Sequence, residues 1–173
     1  MTLVMEMDNK KEFPKRKSTR LKNYDYSKTG AYFITICTKD RKKLLSSIVG
    51  EGSPLPKLSI CGDVINNWIQ KIPEKYLNVS VDSYVIMPNH IHLILSISGN
   101  DGRGNPSPTV VDVIGWLKYQ TIKEINEMRI SKESIWQRSF HDHVIRDRND
   151  YDKIAKYIYE NPIKWKYDCF YTE

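Results

Sequence analysis

Four strands and three helices in the order β, α, β, β, α, β, α are predicted for this 173-residue chain. That order describes an α+β fold: a ferredoxin-like βαββαβ sandwich with an antiparallel sheet and one helix added at the C-terminus. Three observations predict it. Aromatic and β-branched residues cluster in short runs bounded by turn formers, the composition of strands. Between these runs apolar residues recur at helical spacing. No internal repeat or second domain interrupts the pattern, and a hydrophobic content of 40% suits one ordinary core.

The first two dozen residues are largely polar and basic: Lys10, Lys11, Lys15, Arg16, Lys17, Arg20 and Lys22 are interrupted by a single acidic residue, Glu12. Residues 1–24 therefore read as a flexible arm, either a solvated tail or an arm that contacts a polyanion, and residues 25–173 as a single domain. Residues 31–38, AYFITICT, form the first strand, and a loop with Gly50, Gly52, Pro54 and Pro56 follows. Ile60, Val64, Ile65, Trp68, Ile69 and Ile72 line one face of a helix that Pro73 ends. Residues 79–87 and 90–98 form a hairpin around Pro88 and Asn89. After the loop GNDGRGNPSP, Thr109 caps a second helix with Asp112 as its capping-box partner, and Val110, Val113, Ile114, Leu117 and Ile125 line its buried side. Residues 136–146 form the fourth strand. Asn149 or Asp150 caps the last helix, which must stop near Pro162.

Twenty-seven Lys and Arg against 21 Asp and Glu give a formal charge of +6, which suits a polyanionic partner without requiring one. The three cysteines are widely spaced and form no CxxC pair, so reduced thiols in a cytoplasmic protein are expected. No run approaches the ~18 apolar residues of a membrane span, and the N-terminus lacks the apolar core of a secretory signal.

Two segments carry chemistry. Side chains alternate along a strand, so His90 and His92 share one face while Ile91, Leu93 and Leu95 share the other. Neighbouring imidazoles on a rigid strand can chelate one metal ion, or can simply be strand histidines satisfied by hydrogen bonds. His141 and His143 repeat the spacing and complete the chain's four histidines. Their flanks are more polar, which favours the first pair as ligands and leaves the second as supporting or DNA-contacting residues. On the last helix Lys153, Tyr157 and Asn161 follow one another at four-residue intervals and form a single row beside the apolar Ile154 and Ile158. Asn161 can supply an amide oxygen as a third ligand, and mixed nitrogen and oxygen ligation suits Mg2+ or Mn2+ once a substrate phosphate joins. Equally, Tyr157 can be a core-edge residue and Asn161 a helix end before Pro162.

Taken together, His90-Ile91-His92 within VIMPNHIHLIL and Tyr157 with Asn161 within KYIYENP resemble the single-tyrosine HUH transposases, above all the REP-associated tyrosine transposases. Arg16-Lys-Ser-Thr-Arg20 and Trp136-Gln137 are also similar to the family, and the resemblance covers roughly residues 15–165. It implies cleavage and rejoining of single-stranded DNA folded into hairpins. Tyr157 would be the nucleophile, giving a 5′-phosphotyrosine link and a free 3′-hydroxyl; His90, His92 and Asn161 would hold Mg2+ or Mn2+; and Arg16, Lys17, Arg20 and Lys153 would contact DNA. A monomer and a homodimer are both compatible with it. Two other classes are compatible with the residues alone: a non-catalytic single-stranded nucleic-acid-binding module using its sheet, and a hydrolytic metalloenzyme using His90, His92 and Asp142.

Overall fold

The computed structural model describes residues 29–49, 55–99, 107–128 and 134–172. Arg16, Lys17 and Arg20, with the rest of the predicted arm, lie outside the described residues, as does most of the loop at 99–108. In chain order the strands are β1 (Gly30–Cys37), β2 (Ser46–Ser47), β3 (Lys57–Leu58), β4 (Val79–Ile86), β5 (His90–Ile97) and β6 (His141–Ile145). The α-helices are α1 (Ile60–Gln70), the short α2 (Ile72–Lys75), α3 (Val110–Glu127) and α4 (Arg148–Glu160).

The four long strands form one antiparallel sheet in the order β4-β5-β1-β6. The predicted α+β, ferredoxin-like arrangement is therefore present, with the two inner strands contributed by the first and third runs. Alternation on β1 and β5 divides the molecule in two. Tyr32, Ile34, Ile36, Ile91, Leu93 and Leu95 are fully buried against Val64, Ile65 and Ile69 of α1 and Val113, Ile114 and Leu117 of α3. Ala31, Phe33 and Ile94 face the other way, towards Ile154 and Ile158 of α4. The added C-terminal helix thus covers the sheet face that the two crossover helices leave open.

Several local expectations shift. Ser59 caps α1, its hydroxyl accepting from the Gly62 amide. Pro73 opens the second short helix instead of ending the first. Ile60, expected on the buried face, is 73% exposed because it sits at the first position of α1, before the helix reaches the sheet. Gly62 is required there: a Cβ at this position would lie 2.1 Å from the Leu45 carbonyl oxygen. Thr109 and Asp112 form the expected capping box, whereas Asp147, not Asn149 or Asp150, caps α4 by accepting from the Asp150 amide at 2.9 Å.

The fourth strand is shorter than expected. Trp136 makes only an isolated bridge to Thr38, and ladder pairing begins at His141 opposite Thr35. Between these contacts the later segment has the longer path, so its extra residues leave the ladder. Lys118 of α3 donates to the exposed carbonyls of Gln137, Arg138 and Ser139 at 2.9, 3.4 and 3.1 Å. A second irregularity lies at the edge of the sheet, where the register of β4 against β5 shifts between Val81 and Ser83. Here the Asp82 carboxylate accepts from Ser80 at 2.8 Å, Ser96 at 2.5 Å and Tyr151 at 3.4 Å.

Candidate active site

The hairpin between β4 and β5 holds His90 and His92 on the face that α4 covers. Both are buried, and their ring centroids lie 4.4 Å apart. Each has its Nδ1 engaged. His90 Nδ1 lies 2.9 Å from Asn89 Oδ1, an oxygen that can only accept, so this nitrogen carries the proton and Nε2 keeps its lone pair. His92 Nδ1 lies 2.8 Å from the hydroxyl of Thr35, its partner across the ladder. Burial, with the Arg41 guanidinium nearby, holds the His90 imidazole down to about 3. Burial and then His90 hold His92 well below its usual value, against an opposing pull from Asp168. Both rings are therefore neutral at pH 7, and with each Nδ1 engaged their Nε2 atoms are left as the candidate ligand atoms.

Helix α4 brings the second half of the site. Tyr157 stands over the histidines, its hydroxyl 3.3 Å from His92 Nε2 and its ring 5.2 Å from the His92 ring. One turn later Asn161, at the C-terminal end of α4, is 2% exposed. Of the row read from the sequence, Tyr157 thus meets the histidine pair directly, and Asn161 is joined to Tyr157 through the Asp168 carboxylate. Lys153, the third, is exposed on the same helix one turn before Tyr157. Tyr151 instead donates to Asp82, and Tyr159 is 67% exposed.

Asp168 was not legible in the sequence, yet it lies at the centre of the site. The Tyr157 hydroxyl donates to its Oδ2 at 3.1 Å, and the Asn161 amide donates to the same oxygen. Burial and then the Asp168 charge push the Tyr157 phenol well above its ordinary value. Asp168 reaches the site through the turns after α4 and a 3-10 turn at Trp165–Tyr167, and no motif or periodicity marks that route. Phe170 follows it and lies against both imidazoles, with centroids 4.7 Å from His90 and 5.8 Å from His92.

The other candidates separate clearly. His141 and His143 occupy the same sheet face two strands away, opposite Thr35 and Phe33. Both are exposed, and His143 pairs with Asp150 at 2.8 Å. Asp142 pairs with Ile34 in the ladder and so faces the opposite side, which removes it from any site shared with His90 and His92.

Two buried atoms of this site have no hydrogen-bond partner: His90 Nε2 and Asn161 Oδ1. Each is a lone-pair donor, and an unpaired buried polar atom costs about 1–3 kcal/mol. A cation held between them would offset both costs, so the neutral imidazoles and the amide oxygen fit a divalent metal.

Comparisons with known proteins agree with this arrangement. The chain is 33% identical to an uncharacterized protein of Haemophilus influenzae, over 91% of this chain and 94% of that one. It is 22% identical to the REP-associated tyrosine transposase of Escherichia coli, over 86% and 81% of the two chains. The fold is similar to that in the structure of a REP-associated tyrosine transposase bound to a REP hairpin, with a TM-score of 0.62 at 22% identity, covering 86% of this chain and 76% of that one. The sequence model of the IS200-like transposases matches residues 26–161, a span that contains His90, His92, Tyr157 and Asn161, and the chain belongs to that family.

Proposed function

We propose that this transposase cleaves and rejoins single-stranded hairpin DNA through Tyr157, with Mg2+ or Mn2+ held by His90, His92 and Asn161. The position of Tyr157 carries this reading: of the three tyrosines on α4, only its hydroxyl lies within hydrogen-bonding distance of the histidine pair, at 3.3 Å from His92 Nε2. Hairpin DNA as substrate is carried over from the relative whose structure is bound to a REP hairpin.

In the proposed step the phenolic oxygen attacks a phosphodiester phosphorus. The bond from phosphorus to the 3′ oxygen breaks, leaving a 5′-phosphotyrosine and a 3′-hydroxyl. The phenolic proton leaves to solvent, which reaches Tyr157 at 40% exposure, and the departing oxygen gains a proton from water. Because the new link is itself a phosphodiester, attack by a 3′-hydroxyl reverses the step without an added energy source. A tyrosine raised above its usual pKa is a poor nucleophile at neutral pH, and the metal, when bound, would supply electrophilic assistance by polarising the phosphate. Phe33 meets the Tyr157 ring edge-on at 6.1 Å and restricts its tilt over the site.

The test is a denaturing gel that detects protein joined to 5′ DNA ends after incubation with hairpin DNA and manganese. Tyr157→Phe removes one oxygen with little change in packing, so it should bind DNA and form no adduct, while Tyr151→Phe and Tyr159→Phe should still form it. An adduct from the Tyr157→Phe protein overturns the assignment. Failure of the unaltered chain to form any adduct would favour a non-catalytic nucleic-acid module.

A further inference from the structure

We propose that Asp168 is a fourth protein ligand of the divalent metal in the DNA-free protein, an inference that rests on the metal site assigned above to His90, His92 and Asn161.

Three ligand atoms, one from each of His90, His92 and Asp168, lie within 4.8 Å of one another. Ligand atoms about 2.1 Å from one ion stand about 3 Å apart when adjacent and about 4.2 Å apart when opposite, so small side-chain rotations close this group around a single cation. No other group of three or more His, Cys, Asp or Glu among the described residues meets the same criterion.

Hydrogen bonding around Asp168 points the same way. Its Oδ2 takes both the Tyr157 hydroxyl and the Asn161 amide N–H, which leaves Asn161 Oδ1 buried and unpaired beside it. Turning the amide over would set two oxygens against each other, an arrangement that a cation between them would stabilise. That cation would also satisfy the unpaired Nε2 of His90.

Charge supplies an independent reason. His90, His92 and Asn161 are all neutral ligands, and all three are buried. A divalent ion held by them alone would keep its full charge in a poorly solvated place, which is unfavourable unless a counter-charge accompanies it. A carboxylate in the same shell halves that charge.

Asp168 is also held in place. The Phe170 amide donates to its Oδ1 at 2.6 Å, Arg41 donates to the Cys169 carbonyl at 3.1 Å, and Asn89, which orients His90, donates to the Phe170 carbonyl at 2.7 Å. The segment carrying the carboxylate is therefore fastened to the residue that sets the tautomer of a histidine ligand.

The experiment is manganese titration of the full chain by calorimetry, without DNA, on the unaltered protein and on Asp168→Ala, Asp168→Glu and His92→Ala, with folding checked by near-ultraviolet circular dichroism. Loss of the carboxylate should weaken manganese binding roughly 10- to 100-fold, a range seen when groups supporting a metal site are removed, and Asp168→Glu should recover part of it. Cobalt absorption gives a second readout, because loss of a ligand changes the band shape, whereas a loosened C-terminal segment that leaves the ligand set intact does not. Unchanged affinity and unchanged cobalt spectra in Asp168→Ala, with binding lost in His92→Ala, would overturn the role of Asp168 and leave the metal site standing. Unchanged binding in His92→Ala as well would overturn both.

Discussion

Because His90 and His92 are neutral and buried, the metal-free protein should become less stable as the pH falls. In the unfolded chain both rings take up a proton near 6.5, whereas folded His90 does so only near 3. Between those values the unfolded state binds more protons, so stability is fully present above about pH 6.5 and declines as the pH is lowered, by at most about 1.4 kcal/mol per pH unit for each ring. Urea unfolding in chelator at pH 7, 6 and 5 should show this decline, and His90→Gln, which cannot titrate, should show a shallower one. An identical slope in the variant would place the effect elsewhere. The same residues mark what a sequence can convey. His90 and His92 were legible because strand alternation fixes faces, and Tyr157 with Asn161 because four residues make about one helical turn. Asp168 obeys neither period. It reaches the site through a 3-10 turn and a hydrogen bond that its carboxylate accepts from the Phe170 amide, geometry that depends on where α4 ends.

At the level of elements, the N-terminal end of α1 rests closely on one backbone carbonyl. The Leu45 carbonyl accepts from the Ser59 amide and hydroxyl, each at 2.9 Å, and stands 2.1 Å from where a Gly62 Cβ would be. Gly62→Ala must therefore push the helix off that carbonyl, even though alanine has the better helix propensity. The expected cost is about 1–3 kcal/mol, in the range of overpacked cores, and should appear as a lower urea midpoint with an unchanged slope. A midpoint equal to or above that of the unaltered protein would refute the contact. Strong local patterns found the long elements: the capping box of Thr109 and Asp112 located the start of α3 to the residue. The fourth strand was overestimated because its break is set by a distant side chain. Nothing between Trp136 and His141 announces that three carbonyls will turn to Lys118, nineteen to twenty-one positions earlier in the chain.

For the whole molecule, charge and connectivity govern the encounter with DNA. The formal charge of +6 is drawn in large part from the basic N-terminal segment with Arg16, Lys17 and Arg20, and we predict that this segment supplies phosphate contacts instead of chemistry. Deleting residues 1–20 should weaken hairpin DNA binding and flatten its salt dependence, measured by fluorescence anisotropy at two salt concentrations. Unchanged affinity at both would show that the segment contributes nothing to binding. Among the described residues no helix is long and apolar enough to cross a membrane, and Cys37, Cys61 and Cys169 form no disulfide. The topology itself was legible, since the order of strand and helix patterns leaves few ways to wind a four-stranded sheet. A last consequence follows from the irregularity at Asp82. An eight-residue strand at a sheet edge is ordinarily a template on which another chain can add a strand. Here the shifted register twists the edge, and the carboxylate gathers Ser80, Ser96 and Tyr151 around it. A second molecule extending the sheet through β4 would have to straighten this knot and surrender its hydrogen bonds, so the edge resists sheet-to-sheet growth and the aggregation that comes with it.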